Sequence, residues 1–189
     1  FFKQKTAYEI KECDWSSDVC SSDLVRVTGD SLAFVYKAAA EIGELGDNVA
    51  ALRAAITGDD LLHLALAGSH AEVVVLGHTR WASVGIISEA NAHPLNHEET
   101  GGSVGPYVAA ALNGDVDNHL ELVERHGLAI APEITTDAKV IPTLLSHALA
   151  DGTDLVEAFR ATVASFEGSV AIAAHADTEP GRILLALDR

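Results

Sequence analysis

The sequence has no methionine, only two cysteines and only 5% aromatic residues, and its acidic side chains outnumber the basic ones 28 to 12. The resulting net charge of −16 repels phosphate backbones and anionic headgroups, so neither nucleic acid nor a membrane surface is expected as a partner. Long apolar runs are missing too. The stretch 107–112 falls far short of the roughly 18 residues that a spanning helix needs. What is abundant is small aliphatic side chains. Apolar residues make up 48% of the 189, so the core must be built mainly from Ala, Val, Leu and Ile, and disorder is excluded for most of the chain. The length suits one domain.

Residues 1–24 break from this composition. They hold both cysteines, Cys13 and Cys20, and four of the ten aromatic residues, yet show neither helical nor strand periodicity. Codons for residues 3–10 and 14–24 can be chosen that resemble the adapter and index-primer oligonucleotides of short-read sequencing libraries. The segment is therefore expected to be non-native and is set aside, as a cloning scar would be. Without it, residues 25–189 keep nine basic and 23 acidic side chains and no cysteine, which excludes a disulfide framework or a cysteine-based metal site. This balance fits a soluble cytoplasmic protein.

Along residues 25–189 the patterns change several times. A strand is expected at 31–37 and a helix at 47–56, where Val49, Leu52, Arg53 and Ile56 recur at helical spacing. Asp59 and Asp60 then cap a short apolar run, 61–67. The β-branched run Val73-Val74-Val75-Leu76 predicts a strand at 72–79, buried on both faces. Residues 82–106 predict a long polar loop, a type of segment that is usually functional or disordered. A second apolar strand, 107–112, is expected to end at the turn-forming pair Asn113-Gly114. Helices follow at 118–125, closed by Gly127; from a cap at Thr136 or Asp137 to about 150; and after Asp154, which has Glu157 at capping-box spacing. Strands at 168–174 and 182–187 close the chain. Strict alternation of strand and helix is missing, which favours an α+β fold over a doubly wound parallel sheet.

Polar residues gather in three places beside these strands: His78-Thr-Arg-Trp-Ala-Ser-Val-Gly85 with Asn91-Ala-His-Pro94, then Asn113-Gly114, then Thr135-Thr-Asp137. Each has an ordinary explanation, as a rim charge, a turn and a helix cap. His93 and His97 stand at helical spacing, but on a loop containing Pro94 they make a poor zinc pair, and no metal is expected. Together the three places offer complementary chemistry. Arg80 can hold a carboxylate bidentately, Asp137 can hold an ammonium, and the Asn113 amide with a backbone N–H near Gly114 can stabilise an oxyanion. A zwitterionic amino acid fits that set.

In this ordered combination the sequence resembles the class II glutamine amidotransferase domain, and Trp81 after Arg80 points to the glutamine:fructose-6-phosphate aminotransferases within that family. The resemblance runs from about Gly29 to Arg189. It implies the four-layer αββα sandwich of N-terminal nucleophile hydrolases, with L-glutamine as substrate and no cofactor. By the same resemblance, Arg80 binds the glutamine α-carboxylate and Asp137 its α-ammonium, Ser83 keeps the hydroxyl of a glutamine-contacting threonine, His93 shapes the pocket, and Asn113 and Gly114 form the oxyanion hole. Residues 80–87 would be a mobile loop, with Trp81 gating ammonia transfer. The nucleophile implied is an N-terminal cysteine whose own α-amine is the base. Sugar-isomerase domains of a full-length homo-oligomer would bind fructose 6-phosphate and make glucosamine 6-phosphate.

Several residues depart from the family pattern. Cys13 and Cys20 are internal and lack the Gly-Ile that follows the family's cysteine, Val84 stands where histidine is common, and Lys139 stands where glutamate is common. The stretch between His93 and Asn113 is longer than usual. The sequence is expected to be an incomplete glutaminase portion, inactive as written and without its sugar-isomerase domains. Two alternatives stay open beside it: a non-catalytic glutamine-binding regulatory module, and an amidotransferase with another acceptor, such as an amidophosphoribosyltransferase.

Overall fold

The computed structural model describes residues 24–39, 47–68, 70–80, 83–100, 102 and 105–188. Residues 1–23, the main part of the segment set aside as non-native, lie outside the described residues, as does Trp81. The chain divides into two compact units, residues 1–38 with 44–71, and residues 39–43 with 72–189.

In the first unit, β1 (Leu24–Thr28) and β2 (Ser31–Val35) form an antiparallel hairpin in which Thr28 pairs with Ser31. Gly29 takes φ +56° at its tip, a conformation glycine adopts without steric cost. Two helices follow, α1 (Asp47–Gly58) and α2 (Asp60–Leu66). The expected cap is present. The Asp59 carboxylate accepts hydrogen bonds from Leu61 N and Leu62 N at 2.9 and 3.0 Å, filling two of the donors that a helix start leaves open. Tyr36 donates its hydroxyl to the same carboxylate at 2.8 Å. Burial of the Tyr36 phenol, followed by its closeness to Asp59, raises its pKa above the ordinary value.

The second unit is an antiparallel sheet with helices on one face. Its strands are β3 (Leu95–Asn96), β4 (Val108–Val116), β5 (Gly168–Ala176) and β6 (Ile183–Asp188), in the order β3-β4-β5-β6. β4 and β5 pair along nine residues, from Val108 opposite Ala176 to Val116 opposite Gly168. Their alternate side chains Val108, Ala110, Leu112, Val170, Ile172 and Ala174 are buried. They meet α3 (His119–His126), α4 (Val140–Ala150) and α5 (Leu155–Ala164) through Leu122, Ile141, Leu145, Leu155 and Phe159. Two-residue alternation on the strands thus meets helical spacing on α4 and α5, as the sequence predicts. On β6, Leu185 and Leu187 stay 76% and 68% exposed. The architecture is α+β.

Helix ends follow their sequence signals. Gly127 closes α3 in the left-handed conformation, φ +62°, and Asp154 caps α5 by accepting from Val156 N and Glu157 N. Glu157 does not complete the capping box; it pairs with Arg160 instead.

Four expectations change. Residues 72–79 pair with no strand among the described residues, and Val73 and Val75 are 60% and 77% exposed. Branched side chains favour extended backbone, but only a neighbouring strand makes a ladder. Asn113-Gly114 is not a turn, since β4 runs on to Val116. Gly114 has φ +124°, and a Cβ built on it would stand 1.9 Å from the Ser169 carbonyl oxygen. The glycine is there because β5 comes too close for any side chain. Of the two expected caps, Thr136 takes the N-cap position of a 3-10 turn, Asp137–Lys139, without a side-chain capping bond, while Asp137 is the first residue of that turn and its carboxylate reaches β4. Finally, the long polar stretch is not featureless, since it holds a 3-10 turn at Glu89–Asn91 and strand β3.

Candidate functional site

A cavity of about 220 Å³ opens beside β4, at the edge where β3 stops. Strand geometry explains its position. N–H groups on alternate residues of a strand point to the same edge. On β4, Val108 N donates to His97 Nδ1 at 3.4 Å, Leu112 N to His93 Nδ1 at 3.3 Å, and Val116 N to Asp137 Oδ2 at 2.6 Å. Side chains therefore take the place of a neighbouring strand. Gly114 lies between Leu112 and Val116 in this series, so alternation sets its N–H on the cavity edge, flanked by His93 and Asp137.

Asp137 is 3% exposed and also accepts from the Thr136 hydroxyl at 3.2 Å. Its segment is fixed by Asn91, a fully buried side chain. Asn91 Oδ1 accepts from Thr135 N and Thr136 N at 2.8 and 3.0 Å, and Asn91 Nδ2 donates to the hydroxyls of Ser88 and Thr135. A single amide thus ties the turn before His93 to the segment that delivers Asp137. Sequence reasoning quoted Asn91 within a motif but gave it no task. Amide donors and acceptors needing buried partners are the signal it offered.

Arg80 lines the cavity as well and donates to the Val84 carbonyl within its own loop. Burial lowers its pKa from the ordinary value, and the nearby Asp137 carboxylate works against that shift. His78 lies beside it, its ring 4.8 Å from that of His93. Burial first, and the Arg80 charge second, push the His78 pKa below its usual value, which favours the neutral ring at pH 7. The loop continues through Ser83, whose hydroxyl donates to Asp115 Oδ1 at 2.5 Å. Ile86 N then donates to the Thr135 hydroxyl at 3.2 Å.

The structure brings Arg80, Ser83, His93, Asn113, Gly114 and Asp137 to this one cavity. Trp81 falls outside the described residues. His78 and Asp115 also line the cavity and were not singled out from the sequence. Asp115 was missed because β4 was expected to end at residue 112; a strand continued through Gly114 puts 113 and 115 on one face. Lys139, which departs from the family pattern, is buried and donates from Nζ to the carbonyls of Asn96 and Glu98 at 2.7 and 2.5 Å. It anchors the β3 segment and does not line the cavity.

No family model matches the chain. Among curated proteins it is 40% identical over 112 residues to a glutamine–fructose-6-phosphate aminotransferase [isomerizing] of Xanthomonas campestris pv. campestris, covering 59% of this chain and 17% of that protein. It is 41% identical over 114 residues to the protein of the same name from Symbiobacterium thermophilum, with the same coverage. Among solved structures, the glutamine phosphoribosylpyrophosphate amidotransferase from B. subtilis, complexed with ADP and GMP, superposes with a TM-score of 0.44 at 20% identity, covering 59% of this chain and 22% of that one. The chain spans about one sixth of the length of the curated relatives it matches. Over more than half of its own residues it is homologous to the glutamine–fructose-6-phosphate aminotransferases.

Proposed function

We propose that the second unit is the glutamine-binding portion of a glutamine-dependent amidotransferase, and that its helix-backed sheet is half of a four-layer αββα sandwich. The observation that carries this is the convergence of one guanidinium, one buried carboxylate and the Asn113-Gly114 pair on a single cavity. Arg80 takes the α-carboxylate as a bidentate pair, and Asp137 takes the α-ammonium. The Gly114 N–H and the Asn113 amide face the position of the side-chain carbonyl oxygen, where negative charge develops when the amide is attacked. His93 and Ser83 bound the pocket.

Cleavage needs a nucleophile, and the described residues include no cysteine. In this proposal an N-terminal cysteine thiol attacks the amide carbon while its α-amine takes the proton. The C–N bond breaks, ammonia leaves with that proton, and water then releases glutamate from the thioester. The described residues accordingly supply the groups that bind glutamine, and the thiol is supplied from outside them. In the whole protein the ammonia condenses with the carbonyl of fructose 6-phosphate, water leaves, and isomerisation gives glucosamine 6-phosphate.

Calorimetric titration with L-glutamine tests the proposal. Saturable binding is expected, falling about 100-fold or more in Arg80→Ala, which removes a charged hydrogen-bonding pair. A wild-type chain that takes up no glutamine overturns it. A chain in which residues 1–24 are replaced by a native strand beginning with cysteine is expected to release glutamate, and its Cys→Ala control is not.

A further inference from the structure

The cavity contains a second carboxylate that the zwitterion assignment leaves unused. Asp115 lines it together with Asp137, against one guanidinium, Arg80. The two carboxylates are close neighbours in the fold, because Asp137 Oδ2 accepts from Val116 N, the amide directly after Asp115. Their circumstances differ. Asp137 is buried and already accepts two hydrogen bonds, from Val116 N and the Thr136 hydroxyl. Asp115 is half-buried, and Ser83 donates to its Oδ1.

An ammonium carries three N–H donors. A carboxylate with two of its acceptor positions taken cannot satisfy all three. We propose that Asp115 is a second binding carboxylate for the ligand's ammonium, shared with Asp137, and that Ser83 is the residue that orients it. This rests on reading the cavity as an amino-acid site and assigns its selectivity: the ligand must present a primary ammonium beside a carboxylate. With two aspartates facing one arginine the site is net negative until that ammonium arrives. It thereby rejects a ligand of the same shape whose ammonium is missing. Strand geometry supports the role, since Asn113 and Asp115 project from the same face of β4 and both reach the cavity.

The test compares L-glutamine with glutaramate, which is glutamine without its α-amino group, on the full chain and on Asp115→Asn. Ligand-observed NMR follows the weaker binding. The expected result is an about tenfold loss of glutamine affinity in D115N, the scale of one charged hydrogen bond, with glutaramate affinity raised, because one of the two negative charges that reject it is gone. Ser83→Ala is expected to lower glutamine affinity by less than D115N does, without lowering that of glutaramate. Equal losses for both ligands in D115N overturn the proposal, because they assign Asp115 to pocket shape rather than to the ammonium. Unchanged glutamine affinity in D115N overturns it as well. A wild-type chain that binds neither ligand overturns the functional reading of the cavity itself, and the two failures are thus told apart.

Discussion

The two edges of strand β4 are finished in different ways. Towards β5 the ladder is unbroken for nine residues, while towards β3 only Leu95 and Asn96 pair with it. Beyond β3, His93 and Asp137 take the strand amides in place of backbone carbonyls. The first edge needs nothing but close approach of two backbones. The second needs individual side chains, each positioned by a different segment, and between them it leaves a cavity. The difference teaches where function can be placed. A continuous ladder is self-satisfied, whereas an interrupted one exposes directed donors that a ligand can use.

Breaking the ladder is expected to have the largest effect. Gly114→Ala would place a methyl 1.9 Å from the Ser169 oxygen, at a φ that side chains rarely adopt. The strands must separate locally, and a loss of about 3 kcal/mol or more is expected, seen as a melting temperature lower by about 10 °C. An unchanged melting temperature would show that β5 does not press on β4 in this way. The side-chain edge is broken at Asn91. Asn91→Ala leaves the Thr135 and Thr136 amides without their acceptor, at a cost of about 2 kcal/mol. Glutamine affinity is expected to fall by more than the stability change accounts for, since Asp137 loses its support. A variant less stable but with intact affinity would separate the Asn91 network from the cavity.

How much of this was legible in the sequence divides along the same line. Features set by local geometry could be read directly: Gly127 at the end of α3, Asp154 at the start of α5, and the apolar spacing of α4. Features set by a distant partner could not. Residues 72–79 have the composition of a strand but no ladder partner among the described residues, Asn113-Gly114 has the composition of a turn but lies inside a strand, and Asp137 stands where a cap would but bonds to Val116 instead. The site motif was legible as a set of residue types. Its second carboxylate was not, because Asp115 joins the set only when the strand is continued through a glycine whose reason is the backbone of β5. A purely local feature provides the control. Asp154→Ala removes the α5 cap, which does not line the cavity, and is expected to cost about 1 kcal/mol by thermal unfolding with glutamine affinity unchanged. A loss of affinity would mean that the helix layer and the cavity edge are coupled.

The smallest effect expected is one of pH, and it belongs to the side-chain edge alone. His78 is held neutral by burial and by the Arg80 charge, so its pKa is lower in the folded chain than in the unfolded one. Below the unfolded value, about 6.5, the unfolded chain takes up a proton that the folded chain refuses, and stability falls as pH drops until the folded value is passed. The contribution is complete above that range. Denaturant midpoints measured at pH 8 and pH 5 should therefore differ less in His78→Gln than in the wild type, the other histidines being common to both chains. Equal differences in the two chains would mean that His78 titrates alike in both states, and that the Arg80 charge is not felt at the His78 ring.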